Sequence, residues 1–256
     1  MQDVFFSPKY IQIPRENATL WRYMDFPRFV SMLQEKALFA PRPDQFSDSW
    51  DGLITAQMME AYVTSVGGDW SLMNADKHKK LATIYRMGAY VSCWYESPGE
   101  SIAMWQLYSQ MGVAIKSSVN RLKTALAECD HRILFGKVRY NAYPRIADIR
   151  DEIQYLPYFL KRKCYAHEKE VRLVVREELI GPLYRQHPKL DPLEWPLPIG
   201  INLPIDLNEA IRDIYVSPFA PGWFNRVVGM LMVKYGYKIL PKPSELLNPP
   251  DFNTAP

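Results

Sequence analysis

Apolar positions recur along this chain at two spacings, and the changes between them mark its elements. Residues 19–23 read as a strand, with Trp21 and Tyr23 on one face and Arg22 on the other. A short helix follows over 26–35, with Pro27 tolerated in its first turn. Residues 37–40 are strand-like, and 81–91 read as a helix with a polar start at 77–80. After a strand at 92–95, Ile102, Trp105 and Tyr108 fall at helical spacing over 101–108. A strand at 113–116 leads to a helix over 119–128, capped by Ser118 and striped by Val119, Leu122 and Leu126. Residues 133–140 alternate as a strand, and 146–163 read as mostly helical with a break at Pro157. Strands are expected at 170–175 and 214–217, a helix at 223–235 and a last strand at 237–240.

The strand and helix order does not repeat, and no glycine-rich phosphate loop is present, which argues against a doubly wound nucleotide fold. The expectation is α+β: a single domain over 1–240 with a central mixed, mostly antiparallel sheet flanked by helices. Five prolines between 181 and 198 predict a long irregular excursion, and 241–256 form a Pro-rich tail.

Composition narrows the class. With 48% hydrophobic and 23% charged residues among 256, the chain has enough apolar material for a substantial core. No run approaches the roughly 18 apolar residues of a membrane span, and the first residues lack a secretory pattern. Cys93, Cys129 and Cys164 have neither zinc nor disulfide spacing, so a reducing, cytoplasmic setting is expected. The net charge of +3 is unevenly spread. Residues 131–176 hold eleven Lys/Arg against five Asp/Glu, which suits a nucleotide, a nucleic acid or an acidic protein partner as well as an ordinary solvated face.

Four segments carry candidate chemistry. In Tyr165-Ala-His-Glu-Lys-Glu-Val-Arg-Leu-Val-Val, strand alternation puts Val171, Leu173 and Val175 on one face and Glu168, Glu170 and Arg172 on the other. Two same-face carboxylates about 7 Å apart repel unless a cation or substrate lies between them. Arg172, Lys161 and Lys163 are the available cations. The segment is either an exposed ion-paired sheet face or the floor of a polar site. In the second segment, Ser97 and Ser101 flank a Pro98-Gly99 turn before a helix, where one of them caps; Trp105 and Tyr108 read first as core. Arg22 is either one exposed arginine or a phosphate clamp. Asp48 and Asp51, in Phe46-Ser-Asp-Ser-Trp-Asp, read as caps of a following helix. No His/Cys cluster implies a metal.

Taken together, Leu20-Trp-Arg-Tyr23, Phe46-Ser-Asp48, Ser92-Cys-Trp94 with Glu96-Ser97, and Met104-Trp105 with Tyr108 resemble the bacterial and archaeal domain of unknown function family 2971. Gly112-Val-Ala-Ile-Lys116, Gly136-Lys-Val-Arg-Tyr140, 161–172 and Ile214-Tyr-Val-Ser-Pro218 continue the resemblance in order. It implies a prokaryotic or phage-related protein and no settled activity. A more distant resemblance is to the ADP-ribosyltransferases, which use an arginine or histidine on a first strand, a serine or tyrosine on a second and often a Glu-x-Glu on a later one. Arg22, one of Ser92, Ser97 or Ser101, and Glu168-Lys-Glu170 occur in that order, without a clear Ser-Thr-Ser strand.

That resemblance implies an enzyme acting on NAD as substrate, with no tightly bound cofactor. Arg22 holds the pyrophosphate, Glu170 binds the nicotinamide ribose and Glu168 orients or activates the acceptor. Tyr23, Ser97, Ser101, Trp105, Tyr108, Lys161, Lys163 and Arg172 complete the expected site. Two other readings stand beside it. One is a non-enzymatic nucleotide, nucleic-acid or protein-binding module in phage defence or a toxin pair, with Trp94, Trp105 and Arg172 as its surface. The other is a metal-dependent nuclease using Glu168 and Glu170 with Lys161 or Lys163.

Overall fold

The computed structural model describes residues 5–6, 11–65, 67–140, 155–176, 191, 194–195 and 197–248. Its strands are β1 (Phe5–Phe6), β2 (Thr19–Asp25), β3 (Ala37–Pro41), β4 (Ala89–Glu96), β5 (Gly112–Ser118), β6 (Ile133–Lys137), β7 (Glu170–Arg176), β8 (Gly200–Pro204), β9 (Asp213–Val216) and β10 (Lys242–Pro243). Its α-helices are α1 (Phe26–Glu35), α2 (Ala56–Ser65), α3 (Ala75–Met87), α4 (Ile102–Tyr108), α5 (Val119–Ala125), α6 (Leu207–Ala210) and α7 (Gly222–Lys234). The class is α+β, with mixed, mostly antiparallel strand pairing and helices around it. No helix among the described residues is long and apolar enough to cross a membrane.

The chain divides into two compact units. The first comprises Met1–Pro14, Leu38–Trp94 and Ala127–Leu203, and the second Arg15–Ala37, Tyr95–Leu126 and Pro204–Pro256.

In the first unit the strand order is β1-β6-β7-β4, and β3 pairs with β8 separately. β6 and β7 are antiparallel, with Gly136 opposite Arg172, and β1 joins β6 in parallel. Both faces of β7 are covered: every residue from Glu170 to Val175 is buried. One apolar cluster combines Ile11, Ala89, Val91, Leu134, Tyr158, Phe159 and Val174; another joins Met58 and Met59 of α2 to Ala82 and Tyr85 of α3.

In the second unit the order runs from the end of β4 through β2, β5 and β9 to β10. The β2–β5 ladder is antiparallel from Thr19 opposite Ser118 to Asp25 opposite Gly112. Three of the helices here start where a side chain accepts an orphan amide. Asp25 accepts from Arg28 N at 2.9 Å, Ser101 from Met104 N at 3.4 Å and Ser118 from Arg121 N at 3.3 Å. α1 ends at Lys36, which takes the left-handed conformation while its amide returns to Met32 O. Trp21, Tyr23, Tyr95, Met104, Trp105 and Ala114 form the aromatic core of this unit. Tyr23 and Trp105 meet edge to face within it, with centroids 4.9 Å apart.

A close approach fixes one glycine. A Cβ on Gly112 would lie 2.2 Å from Met24 O and 2.4 Å from Ser109 Oγ, which itself donates to Met24 O at 2.7 Å. Gly112→Ala is therefore expected to destabilise the protein by about 1–3 kcal/mol, measured as a lower urea midpoint.

Several expectations change. The helix predicted over 81–91 starts earlier, at Ala75 behind the Asn74 cap, and stops at Met87; 89–91 belong to β4. An apolar stretch suits a helix and a fully covered strand equally, and Gly88 divides them. Of the helix predicted over 146–163, residues 146–154 lie outside the described residues. The rest is a 3₁₀ turn, Leu156–Phe159, then a bridge from Leu160 to Arg139. Pro157 sits in the first turn of that 3₁₀ segment rather than kinking a helix. Residues 237–240 are not a strand; the last pairing is β10 with β9. α2 and β8 were not anticipated.

Candidate functional site

The first unit concentrates its charge chemistry around β7. Glu170 opens the strand and Arg172 follows two residues on, so both side chains project to the same side. Glu168 does not belong to the strand, contrary to the alternation expected from sequence. It ends a 3₁₀ segment, Lys163–Glu168, and Lys169 turns the chain through a left-handed conformation before β7 begins. That turn still delivers its carboxylate to the same place, because Lys161 Nζ bonds both Glu168 Oε2 and Glu170 Oε1, the latter at 2.7 Å.

Arg172 is wholly buried and forms the centre. Its Nη1 and Nη2 grip Asp51 in a two-pronged pair at 2.7 and 2.6 Å. Nη1 also donates to Tyr158 O at 2.8 Å, and Nε donates to Glu170 Oε2 at 2.5 Å. Lys161 Nζ lies 3.6 Å from Asp51 Oδ2 and 4.7 Å from the centre of the Tyr165 ring. The Glu170 amide donates to Tyr140 Oη at 2.7 Å. Three acids and two bases thus share one buried cluster.

Asp51 is the residue that sequence reading missed. It and Asp48 were expected to cap a helix, yet α2 begins only at Ala56, where Met58 N is taken by Thr55 Oγ1. The Asp48–Leu53 turn holds Asp51 instead: Asp51 N donates to Asp48 O at 3.0 Å, and Gly52 takes φ of +70°. Arg86 of α3 fastens that turn by donating to Asp51 O at 2.8 Å and to Pro43 O and Asp48 O, each at 3.1 Å. The pair Asp51–Arg172 spans 121 residues, a separation that leaves no local signal.

Burial alone pushes the Glu170 carboxyl up. The Arg172 charge, the hydrogen bond from Glu168 and the Lys161 charge outweigh it, and the group lies well below the usual carboxylate range. Arg172 is held charged against burial by Asp51 and Glu170, and Lys161 against burial by Glu170. Burial and the Glu170 charge push the Cys93 thiol up, so it is no thiolate at neutral pH.

A depressed folded-state pKa adds stability above the unfolded value of about 4.3 and loses it as pH falls through and below that value. Urea midpoints from pH 6 to pH 3 should therefore fall more steeply for the wild type than for Glu170→Gln.

The expected site residues separate into two groups. Glu168, Glu170, Lys161 and Arg172 meet in the first unit, where Lys163 is exposed at the start of the 3₁₀ segment. Arg22, Tyr23, Ser97, Ser101, Trp105 and Tyr108 belong to the second unit. Arg22 is half-buried opposite Ile115, and Tyr23 Oη accepts from Ser101 N at 2.9 Å. Ser97 Oγ accepts from Gly99 N, Ser101 caps α4 and Trp105 is buried. Tyr108, expected in the core, is 42% exposed. Trp94, Trp105 and Arg172, offered by sequence as a recognition surface, are all buried and form none. Their large side chains are core-fillers here.

No family model matches the chain, and neither a curated protein nor a solved structure does. Function is therefore argued from chemistry. Among the described residues, no group of three His, Cys, Asp or Glu is placed to hold a metal ion. The ammonium of Lys161 stands among Asp51, Glu168 and Glu170, the three carboxylates a divalent ion would seek.

Proposed function

We propose that this protein is an ADP-ribosyltransferase-like enzyme that takes NAD as its substrate. The observation that carries the reading is the Glu168–Glu170 pair, in which Glu170 stays ionised between Lys161 and Arg172 and Glu168 shares the same ammonium. Transfer from NAD breaks the bond between the ribose C1′ and the nicotinamide nitrogen, and the electron pair leaves with nicotinamide. Positive charge then grows on the ribose, and a fixed carboxylate stabilises it without reorganising. Glu170 fills that role and accepts from the ribose hydroxyl. An oxygen or nitrogen of the acceptor bonds to C1′, and its proton passes to the Glu168 carboxylate. Glu170 is 8% exposed, so Lys161, on its flexible stem, cedes its place at Oε1 to the ribose.

The test is nicotinamide release from NAD by the purified protein, alone and with nucleic acid or cell extract. Turnover that falls in Glu170→Gln supports the reading. Its absence under every condition, or unchanged turnover in Glu170→Gln, overturns it.

A second reading rests on a different observation: Asp51 and Glu170 each already hold an internal cation, as a structural staple does. The protein is then a binding module whose ion network only shapes the fold. Glu170→Gln would lower stability with no turnover to lose.

A further inference from the structure

Beside the carboxylate cluster lies a surface of different character. Trp50 is 51% exposed, unusual for so large a ring, and the Arg162 guanidinium lies 5.9 Å from its centre. The same guanidinium lies 5.4 Å from the centre of the half-buried Tyr165 ring. The pieces are fixed in place by one buried carboxylate. Asp48 Oδ1 accepts from Trp50 N at 3.1 Å and from Arg162 Nη2 at 2.7 Å, while Oδ2, also buried, has no partner. Two further cations lie on adjoining backbone. Lys163 follows Arg162, and Arg139 is tied to the same segment by Arg139 N to Phe159 O and Lys161 N to Arg139 O, at 2.8 and 3.0 Å; both side chains are exposed.

We infer that the Trp50–Arg162–Tyr165 surface binds a single-stranded nucleic acid. An exposed aromatic ring beside a pre-positioned guanidinium offers a base a stacking face, and the exposed cations track the phosphates. A duplex hides its base faces, and a glutamate-rich peptide would meet the cations but has no flat ring to stack on the indole. The platform draws only on the first unit. Together with the proposed function it makes a single strand the acceptor of the ADP-ribosyl group, and that extension rests on the NAD reading. The binding itself does not.

The experiment is fluorescence anisotropy with a labelled 12-nucleotide single strand, without NAD. Three phosphate contacts predict a slope of roughly −2 in log affinity against log salt, so binding weakens roughly 20-fold from 50 to 200 mM salt. Trp50→Ala should weaken it by about 10-fold, as the loss of one stacked base does. Trp223→Ala, which removes a comparably exposed tryptophan of the second unit, should leave it unchanged. Tighter binding of a 12-base-pair duplex, equal binding of a labelled glutamate-rich peptide, or a Trp50→Ala affinity within twofold of wild type overturns the inference. Strand binding with no nicotinamide release leaves the platform standing and removes only the transferase reading.

Discussion

Replacing Arg172 with Met should lower the unfolding free energy by about 3–5 kcal/mol. Methionine fills much of the space, so the loss comes from electrostatics. Asp51 and Glu170 would each be left buried without their guanidinium, and Tyr158 O would lose a donor. Urea denaturation at pH 7 measures it. Asp51→Asn should also be costly, because it strands Arg172. The double variant Asp51→Asn/Arg172→Met should cost clearly less than the two single changes added, since each removes what the other leaves unpaired. Strict additivity would mean that the pair is not the unit holding this region together.

Glu170→Gln should cut nicotinamide release by about 10²–10³-fold, the effect typical of removing one fixed charge-stabilising group from a site. The change keeps the shape of the side chain and removes its charge. Circular dichroism and a thermal melt at the assay temperature separate lost chemistry from lost fold. Glu168→Gln serves as the contrast. If it handles the acceptor, transfer should fall by about 10²-fold while slow hydrolysis of NAD to water persists. Equal loss of both reactions would place Glu168 with Glu170 at the ribose instead.

Much of the architecture was readable because it is written locally. The α1 bounds follow from Asp25, Pro27 and the apolar spacing of Phe29, Met32 and Leu33, and the structure reproduces them at 26–35. Val119, Leu122 and Leu126, a stripe predicted by spacing, are all buried. Failures came where one pattern fits two elements, as at 81–91, or where 3₁₀ geometry replaced an expected α-helix, as at 156–159, or an expected strand position, as at Glu168. The candidate site divides the same way. Glu170 and Arg172 were legible from a two-residue period, and Lys161 from its nearness in sequence. Asp51 was not, because its role is set by a partner 121 positions away and by Arg86 holding its turn. The platform at Trp50 was equally hidden, since Trp50 and Arg162 meet only through the fold.

Each of the two compact units is assembled from three stretches interleaved with those of the other. A chain emerging from the ribosome therefore cannot finish one half and then begin the next. Arg172 must appear before Asp51 finds its counter-charge, and β9 must appear before β5 gains its outer neighbour. Closure of each unit waits on its last stretch, which begins at Ala127 in the first and at Pro204 in the second, so these long-range pairings form late and slowly. No single cut in the gene yields an intact half, so functional dissection of this protein has to proceed by point substitution rather than by truncation.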